Sequence, residues 1–256
     1  MQHDVDIGVL GPVAVRGAAA PFRRSGALEL VVYLAFHREG VRHAAWAQAL
    51  WPDRPVCLST VHSTASDARR ALGRAHDGRP HLPRGPDLRL GVSVTTDVEQ
   101  FAALGSSDDP LHLLEAMRLV RGPLFSGLRR TDWAVFDGTQ SEVESSVVRT
   151  ALRGADTFVQ RGRGGEAEWI VRQALRVCPY DERLYRALLT ATAAQGDRVR
   201  LRVAMRQLVI LAGEAPRGPV RPAGPLPTEG LHPETTALYR DLLRRSPAAG
   251  GHPARL

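Results

Sequence analysis

From Asp4 to Gly11 short apolar residues alternate with polar ones, and the run stops at Gly11-Pro12, so it reads as a strand ending in a turn. Val13–Arg16 and Ala20–Arg23 are two further short strand candidates, enough for a small antiparallel sheet. The period then changes. Ser25 is the N-cap candidate of a helix through about Arg38, whose Ala27, Leu28, Leu30, Val31, Leu34 and Ala35 crowd one broad side and which Gly40 stops. A second helix, about Ala44–Trp51, ends before Pro52, and Pro52 and Pro55 keep the following loop non-helical. A third runs Leu58–Leu72 and stops at Gly73. At about 100° per residue its Val61, Ala65, Ala68 and Leu72 form a narrow buried stripe. The opposite face carries Ser59, Ser63, Ser66 and Arg70, with Arg74 just beyond the helix end. Asp67 and Thr60 flank one side of that face, His62 and Arg69 the other. His81–Arg84 and Leu88–Leu90 flank the tight turn Gly85-Pro86-Asp87 and read as a β-hairpin over His81–Leu90, with Pro83 limiting the first strand to an edge.

From Asp97 the pattern is helical to the end. The spacing predicts helices at Asp97–Leu104, Pro110–Arg121, Asp132–Arg161, Glu166–Val177, Asp181–Gln195, Val199–Ala212 and Pro233–Arg245. Short connections marked by Gly or Pro imply antiparallel pairs. Ala174–Gly196, ALRVCPYDERLYRALLTATAAQG, has the small residues, the inter-helix Pro and the terminal Gly of a tetratricopeptide-like repeat. The chain is therefore expected to be mainly α, in two domains: a winged helix-turn-helix over 1–95 and a helical-repeat domain over 96–245. Gly213–Gly230 reads as a flexible loop and 246–256 as a flexible tail.

Composition narrows the function. All 34 basic residues are Arg, whose planar fork suits phosphate, although a high-GC genome is the better account of the lack of Lys. The net charge is +7, of which residues 1–95 hold +4, a modest excess for a nucleic-acid binder. Cys57 and Cys178 stand apart with no metal-ligand spacing and read as buried thiols of a reducing cytosol. The four Trp (46, 51, 133 and 169) sit beside apolar residues and read as core. No apolar run nears the ~18–20 residues of a membrane span, and no signal peptide opens the chain, so a soluble cytoplasmic protein is expected. P-loop, HExxH, GxSxG and strand-linked GxGxxG motifs are absent. No catalytic residue, no metal site and no cofactor is expected, and the chain does not read as an enzyme.

The order of elements carries a resemblance. VDIGVLGPVAV, ALWPDRP, STVHSTASDARRALG, TDVEQF, PYDERLYRALL and HPETTALYRDLL, in this order and spacing, resemble the actinobacterial antibiotic regulatory proteins, in which a winged helix is fused to a bacterial transcriptional activator domain. The resemblance is closest to a branch found at the cytoplasmic end of membrane-anchored relatives. It implies promoter binding and recruitment of RNA polymerase through the loop between the second and third helices, here Pro52–Leu58 with Asp53 and Arg54 as its charged members. Helix Leu58–Leu72 would enter the major groove. Ser59, Ser63, Ser66 and Arg70 would then face base edges, Arg69 and Arg74 phosphates, and Arg84 and Arg89 of the wing a phosphate or the minor groove.

Asp67 departs from the resemblance, which places an Arg there. A carboxylate among phosphates is repulsive unless it accepts from cytosine or pairs with Arg70 or Arg74. Two readings therefore stand: a promoter-binding activator, with a homodimer adding effective concentration, or an interaction or sensory module that kept the fold and lost DNA. A peptide or small-molecule effector in the helical domain fits either.

Overall fold

The computed structural model describes residues 5–53, 55–213 and 230–246. The expected loop over 213–230 and tail over 246–256 fall almost wholly outside the described residues, as does Arg54. The described chain is mainly α and divides into two compact units. One is built from residues up to Leu104 together with Leu119–Ser145, the other from Gly105–Arg118 together with Ser146 onward.

The first unit opens with strands β1 (Val5–Gly8) and β2 (Ala14–Arg16), then helix α1 (Ser25–Phe36), strand β3 (Val41–Arg42), and helices α2 (His43–Leu50) and α3 (Leu58–Leu72). Strands β4 (Asp87–Leu88) and β5 (Val94–Thr96) follow, then helix α4 (Asp97–Gly105). Apolar alternation puts Val5 and Ile7 inward, and β1 is the middle strand of a three-stranded sheet, antiparallel to β2 and parallel to β5. A buried carboxylate closes this corner. Asp97 accepts the Val9 N–H at 2.8 Å and the Leu10 N–H at 3.0 Å, with Arg121 donating at 3.0 Å. Burial raises its pKa, against the lowering effect of those donors. The expected strand Ala20–Arg23 does not form. Pro21 interrupts it, and the segment is instead laid on α3, with the Ala20 N–H donating to the Ala71 carbonyl at 3.1 Å.

The wing differs from expectation. His81–Arg84 is not a strand, because Pro80 and Pro83 cannot donate and His81 is turned inward, 1% exposed, against the Ser93 hydroxyl at 2.8 Å. The partner of β4 is β3, from before α2, with Val41 opposite Leu88 and Arg42 opposite Asp87. Ser25 is the first residue of α1 rather than its cap. The N-cap position is Arg24, whose side chain makes no capping bond.

The core of this unit gathers α1, α2, α3 and the sheet around Leu30, Leu34, Trp46, Leu50, Ala68 and Leu72. Three Trp are buried as expected, whereas Trp169 of the other unit is only half-buried. Gly73 ends α3 at φ 77°, and a Cβ there would lie 2.5 Å from the Ala19 Cβ. Gly73→Ala therefore combines backbone strain with a clash. It is expected to cost about 1–3 kcal/mol, read as a lower urea midpoint of the first unit; an unchanged midpoint would contradict the account.

The remaining helices are α5 (Pro110–Leu119), α6 (Asp132–Phe136), α7 (Thr139–Gln160), α8 (Gly164–Leu175), α9 (Glu182–Ala194), α10 (Arg198–Leu211) and α11 (Pro233–Arg245). The single helix expected over Asp132–Arg161 is broken at Gly138, φ 83°, and the Asp137 carboxylate accepts the Thr139 N–H at 2.9 Å to start α7 afresh. In the second unit α8 and α9 pack as a close pair. A Cβ on Gly164 would lie 2.9 Å from the Ala191 carbonyl oxygen, so only glycine allows this approach. Glu168 ties α8, α9 and α10 by accepting from Arg172 and Gln195, each at 2.8 Å, and from Arg200 at 3.3 Å. Burial alone would raise its pKa, but these donors hold it below the ordinary value.

Candidate nucleic-acid interface

Helix α3 buries Val61, Thr64, Ala65, Ala68, Ala71 and Leu72, mostly against α1, and turns the rest outward. Ser59, His62, Ser66 and Arg70 are exposed, and Ser63, Asp67 and Arg69 are half-buried. Three of the four residues of the expected reading face have other engagements, Arg70 among them by donating to Asp67 at 2.8 Å. The Ser59 hydroxyl lies 3.1 Å from the Cys57 sulfur. Ser63 donates to the Thr60 carbonyl at 3.0 Å and accepts from Arg24 at 2.9 Å.

Beyond Ser66 the surface sinks into a groove of about 650 Å3 between the C-terminal half of α3 and the segment that follows it. Ser66, Arg69, Arg70, Gly73, Arg74, Pro80, Leu82 and Arg84 line it, and no carboxylate does. Four of the arginines singled out in the sequence therefore converge on one concavity. Arg74 is braced by donating to the Gly78 carbonyl at 2.8 Å, and its backbone bridges Pro80. Burial, and then the charge of Arg84, push the Arg69 guanidinium below its ordinary pKa; its Nε is buried with no hydrogen-bond partner. Like charges held together in a groove without an acid are uncomfortable in the free protein and are relieved by an anion. Arg89 is exposed but stands apart, beside Gly40 at the β3–β4 ribbon.

Asp67 does not point a free carboxylate outward. Its side chain is 14% exposed and takes Arg70 at 2.8 Å on one oxygen and Arg24 at 3.1 Å on the other. Pairing with Arg70 was one of the sequence's own alternatives. Arg24 was missed, because it lies 43 residues from Asp67 in a stretch that read as a strand end.

Cys57 corrects another expectation: it is exposed, not buried, and Cys178 is half-buried. Hydrogen bonds from the Ser59 and then the Thr60 hydroxyl lower the Cys57 thiol to about 7. In the loop before α3, Asp53 is exposed and lines a concavity of about 290 Å3 with Trp51, Pro52, Arg129, Arg130 and Asp132. Among the described residues no group of three or more His, Cys, Asp or Glu is placed to hold a metal ion, and no helix is long and apolar enough to cross a membrane.

Residues 98–200 match the bacterial transcriptional activator domain. Among solved structures, EmbR of Mycobacterium tuberculosis, in complex with a low-affinity phosphopeptide, superposes with a TM-score of 0.66 at 24% identity. The match covers 96% of this chain and 66% of that one, so about a third of EmbR has no counterpart in it. At this identity the likeness is one of fold. No curated protein sequence matches the chain.

Proposed function

We propose that this chain is a transcriptional regulator, resembling the actinobacterial antibiotic regulatory proteins in its winged helix and bacterial transcriptional activator domain, and that it binds double-stranded promoter DNA with α3 and the arginine groove beside it. The groove carries the proposal. Four arginines line a concavity at the end of an exposed helix face, and of these only Arg70 has a carboxylate partner, an arrangement suited to backbone phosphates. On this reading Ser59, Ser66 and Arg70 would meet base edges, and Arg69, Arg74 and Arg84 phosphates. Arg89 would reach the flank from the wing.

The rest of the proposal follows the family. Asp53 and Arg54 contact RNA polymerase, the protein acts as an activator in the cytoplasm, and two copies on repeated half-sites strengthen binding. EmbR's phosphopeptide makes a peptide partner a natural proposal for the helical domain. The groove of about 420 Å3 lined by Arg172, Leu175, Arg176, Tyr185, Gln207, Ile210 and Leu211 would take it. The competing reading, an interaction module without DNA binding, drew its force from Asp67. That carboxylate is matched by two arginines, which supports the DNA reading instead.

The test titrates labelled duplex from the chain's own upstream region against random duplex at several salt concentrations. Three to four groove phosphates predict a log–log salt slope of about −3 to −4 together with a sequence preference. Absence of both, at protein concentrations high enough to include dimers, sinks the reading.

A further inference from the structure

We propose that Arg23 and Arg24 form a second phosphate-contacting strip on the flank of α3 opposite Arg69, and that Asp67 is the positioning residue that fixes Arg24 and Arg70 there. This rests on the DNA reading of α3. Three observations lead to it.

The first is where the chain before α1 runs. The Ala20 N–H donates to the Ala71 carbonyl at 3.1 Å, and Ala19 packs on Gly73, so the segment lies along the C-terminal half of α3. Arg23 then lines a small concavity of about 80 Å3 with Pro21, Asp67, Arg70 and Ala71.

The second is the fan of contacts at Asp67. The Arg24 Nε lies 3.1 Å from one carboxylate oxygen as an ion pair, and a terminal nitrogen donates to the Ser63 hydroxyl at 2.9 Å. Arg70 takes the other oxygen at 2.8 Å. The carboxylate lies beneath and the two guanidiniums, 59% and 60% exposed, lie outside it. An arginine already held by a carboxylate has less rotamer freedom to lose when it meets DNA. Ser63 is part of this bracket rather than a base reader.

The third is charge. Three arginines surround one aspartate, so the strip stays positive. At about 100° per residue, Arg69 and Asp67 fall on opposite flanks of α3, with Ser66 and Arg70 between them. Arginines thus stand on both sides of the exposed helix face, as the two phosphate backbones stand on both sides of a major groove. Asp67 is on this account a device for specificity and not a lesion in the interface.

The experiment uses the full chain and a duplex selected by it from random sequence, with random duplex as reference, both titrated across salt. Arg24→Ala is expected to make the log–log slope shallower by about 0.9 on both duplexes. Asp67→Ala is expected to tighten binding to random duplex, since a negative charge is gone, while the preference for the selected duplex falls about threefold to tenfold. In the Arg24→Ala background the same change costs less preference, because its partner is already absent. A helix that merely needed Asp67 to fold would lose both affinities together. Should Asp67→Ala not fold, Asp67→Asn replaces it with the same expectations. An unchanged slope in Arg24→Ala, or an unchanged or higher preference in the Asp67 variant, overturns the proposal and leaves the DNA reading standing. A wild type without any salt slope overturns both.

Discussion

Arg130→Ala is expected to destabilise the N-terminal unit by about 3–5 kcal/mol, the scale for removing one partner of a buried ion pair. Glu29 sits mid-helix in α1 with its side chain 0% exposed, and Arg130 donates to its Oε2 at 2.6 Å. The other oxygen, Oε1, is buried without a hydrogen bond, so nothing else is in place to take over the charge. The guanidinium also lies 5.8 Å from the centre of the Trp51 ring, and its removal uncovers that ring. Urea unfolding of the single variant against Arg130→Met/Glu29→Gln separates the contributions. The double variant should recover much of the loss, because it leaves no isolated charge behind. A loss under about 1 kcal/mol for Arg130→Ala would show that water already solvates Glu29, and the argument would fail.

That pair also marks what the sequence could not announce. The bounds of α3 and α11 coincide with expectation because each has a local end signal: Gly73 stops the one, and Pro233 in the first turn opens the other. The mainly helical second half was legible for the same reason. Where the expectation failed, the deciding partner was distant. Glu29 on an apolar helix face gave no hint of Arg130, 101 residues away. The strand opposite β4 comes from before α2 and not from the neighbouring His81–Arg84. Gly138 was readable in principle, as Asp-Gly-Thr is a stop followed by a cap, but the apolar period on either side of it continued and masked the break. The sequence singled out the groove arginines one by one, from a helix face and the turn after it. It could not find Arg24, whose role depends on a backbone bond between Ala20 and Ala71.

The groove itself yields the other large effect. Arg69→Ala with Arg84→Ala is expected to weaken DNA binding on the order of 100-fold at physiological salt, from about 1.5 kcal/mol for each charge-assisted phosphate contact. The salt slope should become shallower by about 1.8, and selected and random duplex should lose affinity alike, since phosphate contacts carry no sequence information. The same substitution should not weaken the free protein and is expected to raise its thermal midpoint. Arg69 is held below its ordinary pKa by burial and by the Arg84 charge, and its Nε is buried with no hydrogen-bond partner. Removing either guanidinium removes that repulsion. Opposite signs for stability and binding separate a site kept for an anion from a pair of ordinary surface arginines, for which both changes would be small. Equal losses in stability and affinity would instead make Arg69 a packing residue, and the phosphate role would have to rest on Arg70 and Arg74 alone.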